Sequence, residues 1–485
     1  MRLRYLAFSF SLALMYFSIV LLLPIVVELI YKDWYSILPF IISSAIAYLL
    51  SFTLKKLANR TSVIKSINDI RKSEGLCVVT GTWFLGGIIA AVPYLFYGFS
   101  PLNAFFEATS GITATGATIL THFDYPNALF FWRSFSQWLG GMGIIVLFIA
   151  VLPQFAIAGR QLFSAEAPGP TEDKFTPRIK NTASALWKVY LGLTVCEIIL
   201  LLANDMSLFD AVCHSFSSVS GGGFSPRGES LIGFSHTILW IITIFMFLAG
   251  TSFNLQYKAM TKFNPFILFQ NEEFRVYFSF VLVISIALSL SLFLNMHQHF
   301  LDSITNAFFT SSSIVSSTGF CSSDFANWDY VSKALLFTLM LFGSCASSAG
   351  GGIKVMRWLL IFKIMKIEVI KILHPKAIFN IKIGEYSVSK DILYQTLMFV
   401  SFYFAAILLS IFIIGIIEKN TIVAISSSVA AVGNIGPGFG IVGPLGNFDS
   451  LNNISKSILI FDMYLGRLEL IPILVLFQKE IWISK

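Results

Sequence analysis

The chain has 485 residues, of which 56% are hydrophobic and only 12% charged, and its mean hydropathy is +0.78. A soluble protein carries roughly 25% charged residues, so this composition excludes an ordinary soluble domain. The formal charge of +7 does not indicate nucleic-acid binding, because the basic residues lie in the links between apolar segments. The composition predicts an all-α membrane protein that crosses the bilayer several times.

The N-terminal region, residues 1–72, is predicted to form a transmembrane hairpin followed by a basic cytoplasmic link. Two apolar segments near 5–30 and 36–54 are candidates for spans, each of which needs about 20 apolar residues. The stretch Met1–Leu23 looks like a signal peptide, but no small-residue cleavage site follows and the apolar pattern continues to Ile30. We therefore expect the first helix to be retained.

Four related segments follow, and each contains a helix-compatible run that ends in a small, polar turn with a glycine. In every copy an alanine precedes that glycine by twelve residues: Ala104 and Gly116, Ala211 and Gly223, Ala307 and Gly319, Ala424 and Gly436. The half-length runs fall near 101–113, 208–219, 304–316 and 422–433. Long apolar spans flank them near 75–97 and 128–152, 183–204 and 231–256, 275–295 and 332–358, 391–417 and 456–478. The pattern predicts pore repeats with bounds 73–160, 161–262, 263–372 and 373–485 around one central pore.

The membrane topology follows from the segment lengths and the basic residues. A run of about 12 residues is too short to cross a bilayer, so each half-length run is predicted to be re-entrant. Irregular backbone at membrane depth survives only against protein or water, so the glycine turns should share a cavity. Basic residues concentrate in the links, with eight Lys or Arg from Lys354 to Lys390, and predict cytoplasmic links and termini. The predicted topology has ten full spans and four re-entrant half-helices, and every glycine turn enters the membrane from the outer face.

The repeated turns have the chemistry of a filter for a dehydrated cation. Backbone carbonyls can replace the hydration shell, and glycine lets four chains approach closely. The C-terminal ends of the half-helices carry partial negative charge, and no turn contains a carboxylate that would favour a divalent ion. The simpler alternative is that the glycines only permit tight helix packing. We predict a monovalent-cation filter formed by Ala114, Thr115, Gly116, Gly221, Gly222, Gly223, Ser317, Thr318, Gly319, Asn434, Ile435 and Gly436.

Two features inside the predicted spans are candidates for control of the pore. Arg467 interrupts the last apolar span, where a charge is costly and commonly functional; the alternative is a structural pair with Glu469 or Asp462. Segment Gly343–Lys354 contains four glycines. Each glycine costs about 1 kcal/mol relative to alanine in a helix. The segment therefore predicts a broken span with a mobile loop, with a close helix crossing as the alternative. Asp462 itself has no predicted role.

Six motifs distributed along the chain carry a family resemblance: Thr109–Ala117, Arg133–Gly143, Ala165–Pro170, Thr176–Ile179, Gly350–Lys354 and Gly466–Glu469. They resemble the Trk/Ktr/HKT superfamily of potassium uptake proteins, most closely the membrane subunit of the bacterial Trk system. The resemblance implies potassium uptake across the bacterial inner membrane, with the four glycines lining the selectivity filter. It also implies that Gly350, Gly351, Gly352 and Lys354 belong to an intramembrane gating loop. Arg467 would be an electrostatic barrier below the filter.

The same resemblance implies a homodimer in the lipid membrane, bound to a cytosolic ring of nucleotide-binding regulatory subunits. The chain has no Rossmann-like glycine motif on a strand–helix unit, so a regulatory nucleotide would bind to another chain. We expect no cofactor in this chain and potassium as the transported ion. Family first filters commonly have threonine at the position of Ala114, and the glycine-rich second filter, Gly221–Gly223, is expected to be looser than the others.

An enzyme embedded in the membrane is the alternative from another functional class. Neither a His-Glu-x-x-His nor a Gly-x-Ser-x-Gly pattern occurs in the chain, so we expect a transporter and not an enzyme. A sodium-permeable transporter of the same superfamily is the second alternative. The sequence leaves open whether transport is channel-like or coupled to protons, what the potassium-to-sodium ratio is, and which nucleotide regulates the partner.

Overall fold

The computed structural model describes residues 3–58, 72–155, 175–375, 380–384, 386–469, 471–476 and 478. The Ala165–Pro170 motif lies outside these ranges, as do most of the first basic link and most of the link after the first repeat. The Thr176–Ile179 motif lies at the start of a helix, but its side chains are outside the described set. The division into repeats at the predicted boundaries stays a prediction.

The N-terminal hairpin consists of α1 Leu3–Val20, α2 Leu23–Tyr31 and α3 Ile37–Ala58. The predicted first span, 5–30, is therefore two helices in sequence. Small polar side chains join the two arms of the hairpin, as in other membrane helix pairs: the Ser44 hydroxyl donates to the Ser18 carbonyl at 2.7 Å. The buried Glu28 attaches the hairpin to the first repeat, because it accepts the Ala128 N–H at 2.5 Å.

The rest of the described chain is mainly helical, with one short antiparallel ribbon. The helices are α4 Lys72–Leu95, α5 Pro101–Ile112, α6 Asn127–Phe155, α7 Phe175–Leu202, α8 Leu208–Ser220, α9 His236–Ala249, α10 Phe253–Thr261, α11 Phe266–Gln270, α12 Glu272–Asn295, α13 Phe300–Val315, α14 Tyr330–Met340, α15 Val355–Leu373, α16 Lys390–Glu418, α17 Thr421–Val432, α18 Asn453–Arg467 and α19 Ile471–Leu476. The ribbon pairs β1 Lys382–Ile383 with β2 Tyr386–Ser387, and Lys382 lies opposite Ser387. By length and hydropathy, six described segments could each cross a membrane and one bent helix pair could make a seventh. The total of ten spans stays a prediction.

The four predicted half-helices are present as α5, α8, α13 and α17. Three of them begin at an N-cap side chain that accepts a backbone N–H, which stabilises a helix start: Ser100, Ser207 and Asn420. The half-helix of the third repeat, α13, is the exception. It begins at Phe300, earlier than predicted, and the side chain of the preceding His299 makes no capping bond. The alanine at the repeated position is fully buried in each copy, which lets these short helices pack closely.

Two predicted spans are interrupted. The span predicted at 332–358 is broken as expected, because α14 ends at Met340 and α15 begins at Val355. The continuous span predicted at 231–256 is wrong: α9 and α10 meet at an angle of 104°. The broken segment compensates for this bend, since Cys345 N–H donates to Gly250 O at 2.9 Å and Phe253 N–H donates to Ser347 O at 3.1 Å. Both irregular segments thus satisfy each other's backbone groups.

Candidate functional site

The four glycine turns share one backbone conformation. The first residue of each turn has a left-handed φ: 50° at Ala114, 69° at Gly221, 57° at Ser317 and 53° at Asn434. The glycine two residues later has one as well: 86° at Gly116, 74° at Gly223, 82° at Gly319 and 96° at Gly436. Side chains are disfavoured at such φ values, yet three of the turns have one at the first position. The need for glycine at the third position therefore comes from its contacts as well as from its φ.

The middle residue of each turn ties the turn to its half-helix. Its N–H donates to the carbonyl five residues earlier: Thr115 to Ser110 at 2.9 Å, Gly222 to Ser217 at 2.8 Å, Thr318 to Ser313 at 2.8 Å and Ile435 to Ala430 at 2.8 Å. These bonds satisfy carbonyls at the C-terminal ends of the half-helices, which have no partner inside the helix. Four dissimilar sequences therefore fold into one recurring structure.

The turns meet in a closed ring, in which the glycine of each repeat abuts the middle carbonyl of the next. An added Cβ atom would lie 2.2 Å from Gly222 O at Gly116, 1.9 Å from Thr318 O at Gly223, 2.1 Å from Ile435 O at Gly319 and 2.6 Å from Thr115 O at Gly436. The order runs from the first repeat to the fourth and back to the first. We call this arrangement the turn ring. The ring has no space for a side chain at any of its four glycines.

Side chains hold the turns of three repeats in place. The hydroxyls of Thr113 and Thr115 lie 2.7 Å apart in the first turn, and those of Ser316 and Thr318 lie 2.7 Å apart in the third. In the fourth, the Asn434 amide donates to the Thr115 hydroxyl at 2.9 Å and so joins the last repeat to the first. Ala114, at the position where the sequence resemblance implies a threonine, has its side chain fully buried and keeps the turn conformation.

A buried ion pair bonds to the backbone segments that follow the first and second turns of the ring. Arg133 and Glu107 approach to 2.9 Å and are 2% and 0% exposed. Glu107 also accepts the Ile119 N–H at 2.9 Å, while Arg133 donates to the Ser225 carbonyl at 3.0 Å. The pair therefore connects the chain beyond the first turn with the chain beyond the second. Neither residue of this pair was predicted to belong to the site, although two opposite charges in adjacent apolar segments are a signal for such a pair.

Removing one partner of this pair should destabilise the fold. We expect Glu107→Gln to lower the free energy of unfolding by about 3–5 kcal/mol, because Arg133 would remain buried without its counter-charge. Glu368→Gln is the matched control, since its pair with Lys371 is exposed and worth at most about 1 kcal/mol. Thermal unfolding of the purified proteins in detergent measures the difference. Equal melting temperatures for the two variants would contradict the assigned role of the pair.

An open cavity lies on one side of the turn ring. Residues that follow the glycines in the first, second and fourth repeats line it, among them Thr118, Ser225, Pro437 and Phe448, and the third repeat contributes Gly319 itself. Arg133 also reaches this cavity. The cavity is therefore shared by the four repeats and ends at the ring.

The broken segment, Gly343–Lys354, covers the opposite side of the ring. Gly351 N–H donates to the Ser317 hydroxyl at 2.6 Å. A Cβ atom at Gly350 would lie 2.6 Å from Ser316 O, and one at Gly351 would lie 2.5 Å from Gly433 O. The Lys354 ammonium folds back onto Gly350 O and lies 3.3 Å from the Ser344 hydroxyl. The segment is thus a closed loop packed directly against the third and fourth turns.

Arg467 lies at the end of α18 and is 2% exposed. Its guanidinium donates to the Ala349 carbonyl of the loop at 2.8 Å and to the Gly140 carbonyl of α6 at 3.1 Å. Within the part of the chain that the structure describes, its Nε atom has no hydrogen-bond partner. Two backbone carbonyls therefore hold this charge. Among the described residues, no carboxylate lies at salt-bridge distance from it.

The alternative that Arg467 is a local structural partner of Glu469 or Asp462 is wrong. Glu469 pairs with Arg357 at 2.5 Å. Asp462 faces away towards α16, where it accepts the Ser410 hydroxyl at 2.9 Å and borders an apolar crevice. Side chains five and two residues away do not share one helix face with Arg467, which explains why each finds another partner.

Known proteins resemble the chain over nearly its whole length. The family model TrkH, described as a cation transport protein, matches residues 40–482. The Trk system potassium uptake protein TrkH of Escherichia coli strain K12 is 36% identical over 96% of both chains, and its counterpart from Vibrio parahaemolyticus is 34% identical over 98% of both. The crystal structure of the potassium transporter TrkH from Vibrio parahaemolyticus superposes with a TM-score of 0.90 at 30% identity, over 99% of this chain and 100% of that chain. The expectation of a membrane transporter and not an enzyme is confirmed, and the chain belongs to the TrkH family of cation transport proteins.

Proposed function

We propose that this chain takes up potassium across the bacterial inner membrane and that the turn ring is its selectivity filter. The observation that carries the proposal is the closed ring of four glycine turns, each of which meets the next through a backbone carbonyl. Curated relatives along nearly the whole chain bear the name of potassium uptake proteins, which supports the choice of ion.

Backbone chemistry supports a monovalent cation in the ring. The filter would use carbonyl oxygens of the twelve residues Ala114–Gly116, Gly221–Gly223, Ser317–Gly319 and Asn434–Gly436. The half-helices end at these turns, and their C-terminal partial negative charge stabilises a cation and repels an anion. Because the turns contain no Asp or Glu, a divalent ion would lack the charged ligands that it prefers.

We further propose that the loop and Arg467 control passage below the ring. The loop packs against the third and fourth turns, and Arg467 bonds to its backbone, so an ion that leaves the ring on this side meets both. A fixed positive charge in a low-dielectric pore opposes potassium. Movement of the loop would break the bond between Ala349 O and Arg467, so the loop and the Arg467 side chain would leave the ion path together.

The cellular arrangement is also a proposal. The basic links support a cytoplasmic location for both termini. We also propose that the chain divides into the N-terminal hairpin region and four pore repeats, with boundaries after residues 72, 160, 262 and 372. We propose a homodimer whose cytoplasmic face binds a nucleotide-binding regulatory subunit. On that face Lys363 of α15 pairs with Glu272 at 2.6 Å, and Glu272 also accepts the Gly384 N–H at 3.0 Å. Since α15 continues directly from the loop, a partner that moves α15 would act on the loop.

Shortening the loop should relieve its block. We expect a variant that lacks Ser347–Gly351 to conduct more potassium than the wild-type protein in the absence of a regulatory subunit. The deletion removes the bonds of the loop to Ser317, Phe253 and Arg467. Tracer uptake per folded molecule in liposomes measures the effect. Equal or lower flux from monodisperse protein would favour a purely structural role of the loop.

Growth of a bacterial strain without potassium uptake tests the function. Expression of this chain, with its regulatory subunit where the strain lacks one, should restore growth at limiting potassium. The alternative, a sodium-permeable transporter, predicts no rescue by the chain but sodium accumulation in the same cells. Dependence of uptake on external pH at constant membrane potential would distinguish proton coupling from channel-like transport.

A further inference from the structure

Gln137 of α6 makes two hydrogen bonds to the second turn. Its amide nitrogen donates to the Gly222 carbonyl at 2.6 Å, and its amide oxygen accepts the Phe224 N–H at 3.0 Å. The side chain is fully buried. Gln137 belongs to the first repeat, so these bonds cross from one wall of the pore to the next.

The second turn has the greatest need for such support. Its three residues, Gly221–Gly223, are all glycine, so the turn has no side chain to fix it and the largest conformational freedom of the four. In the other turns, hydroxyl pairs or Asn434 supply that restraint. A Cβ atom at Gly222 would lie only 2.4 Å from the Gln137 side chain, which therefore fills the space that a turn residue would otherwise occupy.

The bonded carbonyl also belongs to the ring. Gly222 O is the oxygen that Gly116 abuts, so Gln137 fixes the contact between the first and the second repeat. The expectation that the glycine-rich second turn is looser than the others considers only the turn itself. Gln137, 85 positions away along the chain, also bonds to this turn. An amide is required at position 137, because one group must donate to a carbonyl while the other accepts an N–H.

We propose that Gln137 is a positioning residue that determines potassium selectivity by fixing the second turn of the ring. The inference rests on the proposed function, in which ring carbonyls select the ion. Sodium is smaller than potassium and requires the oxygens to move closer. A turn without Gln137 could move to meet it, whereas a fixed turn cannot. Loss of Gln137 should therefore lower selectivity more than it lowers flux.

The experiment compares three full-length proteins in liposomes by their potassium-to-sodium permeability ratio. Gln137→Met keeps the volume but makes neither bond. Gln256→Met is the matched control: Gln256 is also buried, and its amide donates to the Leu248 and Thr251 carbonyls at the bend between α9 and α10, neither of which belongs to a turn of the ring. We expect the ratio to fall at least tenfold in Gln137→Met and to stay within twofold of wild type in Gln256→Met.

A second readout does not depend on flux. In detergent, potassium should raise the melting temperature of the wild-type protein more than sodium does. The difference should vanish in Gln137→Met and decrease in Gln137→Asn, which keeps the amide on a shorter side chain. Wild-type ion discrimination in either folded Gln137 variant would overturn the inference. A wild-type protein that does not discriminate between the ions would instead refute the proposed function.

Discussion

Replacement of Gly116 with serine is expected to lower the potassium-to-sodium permeability ratio sharply. The new Cβ atom would lie 2.2 Å from the Gly222 carbonyl oxygen, a distance that real Cβ atoms do not adopt. The atom it meets belongs to the backbone and not to a flexible side chain, so relief of the clash must displace the first turn, the second turn, or both. The displaced carbonyls would no longer match a potassium ion. We expect at least a tenfold lower potassium-to-sodium permeability ratio, measured with tracer ions in liposomes.

Gly98→Ser is the matched control for this variant. Gly98 lies before α5 with the same φ of 86°, but an added Cβ atom would meet nothing within 4 Å. The control therefore reproduces the backbone strain of serine in a left-handed conformation without a clash in the ring. Its ion ratio should equal that of the wild-type protein. An equal loss in both variants, or no loss in Gly116→Ser, would contradict the assignment of the ring as the filter.

Arg467→Ala is expected to raise potassium flux in the absence of any regulatory subunit. The substitution removes a buried positive charge that would repel potassium by a few kcal/mol in a low-dielectric pore. Each decrease of about 1.4 kcal/mol in the barrier corresponds to a tenfold increase in rate. We therefore expect at least a tenfold gain in flux per molecule, whereas Arg467→Lys should keep most of the barrier. Tracer uptake normalised to folded protein provides the measurement.

Arg357→Ala separates a pore charge from a structural one. Arg357 pairs with Glu469, two residues after Arg467, and stacks on Phe399, but these contacts do not involve the loop residues that contact the ring. Loss of this arginine should lower the protein yield, because Glu469 loses its partner, and should leave the flux per molecule within about threefold of wild type. If Arg467→Ala lowered the yield without any gain in flux per molecule, Arg467 would have no part in gating.

The local parts of the fold could be predicted from the sequence. Half-helices α5, α8 and α17 lie within a few residues of their predicted ranges because each is bounded by a cap residue and a glycine turn. The break before Val355 was predictable because four glycines in one segment oppose helix formation. The early start of α13 was missed because His299 provides no capping bond to indicate it.

The contacts that connect the repeats could not be predicted. Arg467 bonds to carbonyls 118 and 327 positions away, and Gln137 bonds to a carbonyl 85 positions away. No periodicity within one segment encodes such contacts, because they depend on how the helices pack. The bend between α9 and α10 is likewise stabilised by the distant loop, so the apolar run alone suggested a straight helix. Glycine spacing indicated the ring, whereas its supporting side chains required the structure.

The reversal potential of the purified protein tests the central claim most directly. The chain would be reconstituted in liposomes with potassium concentrated on one side and sodium on the other, and the zero-current voltage recorded. A filter built from the turn ring predicts a reversal potential close to the potassium equilibrium potential. A reversal potential near zero, or near the sodium equilibrium potential, would contradict the account.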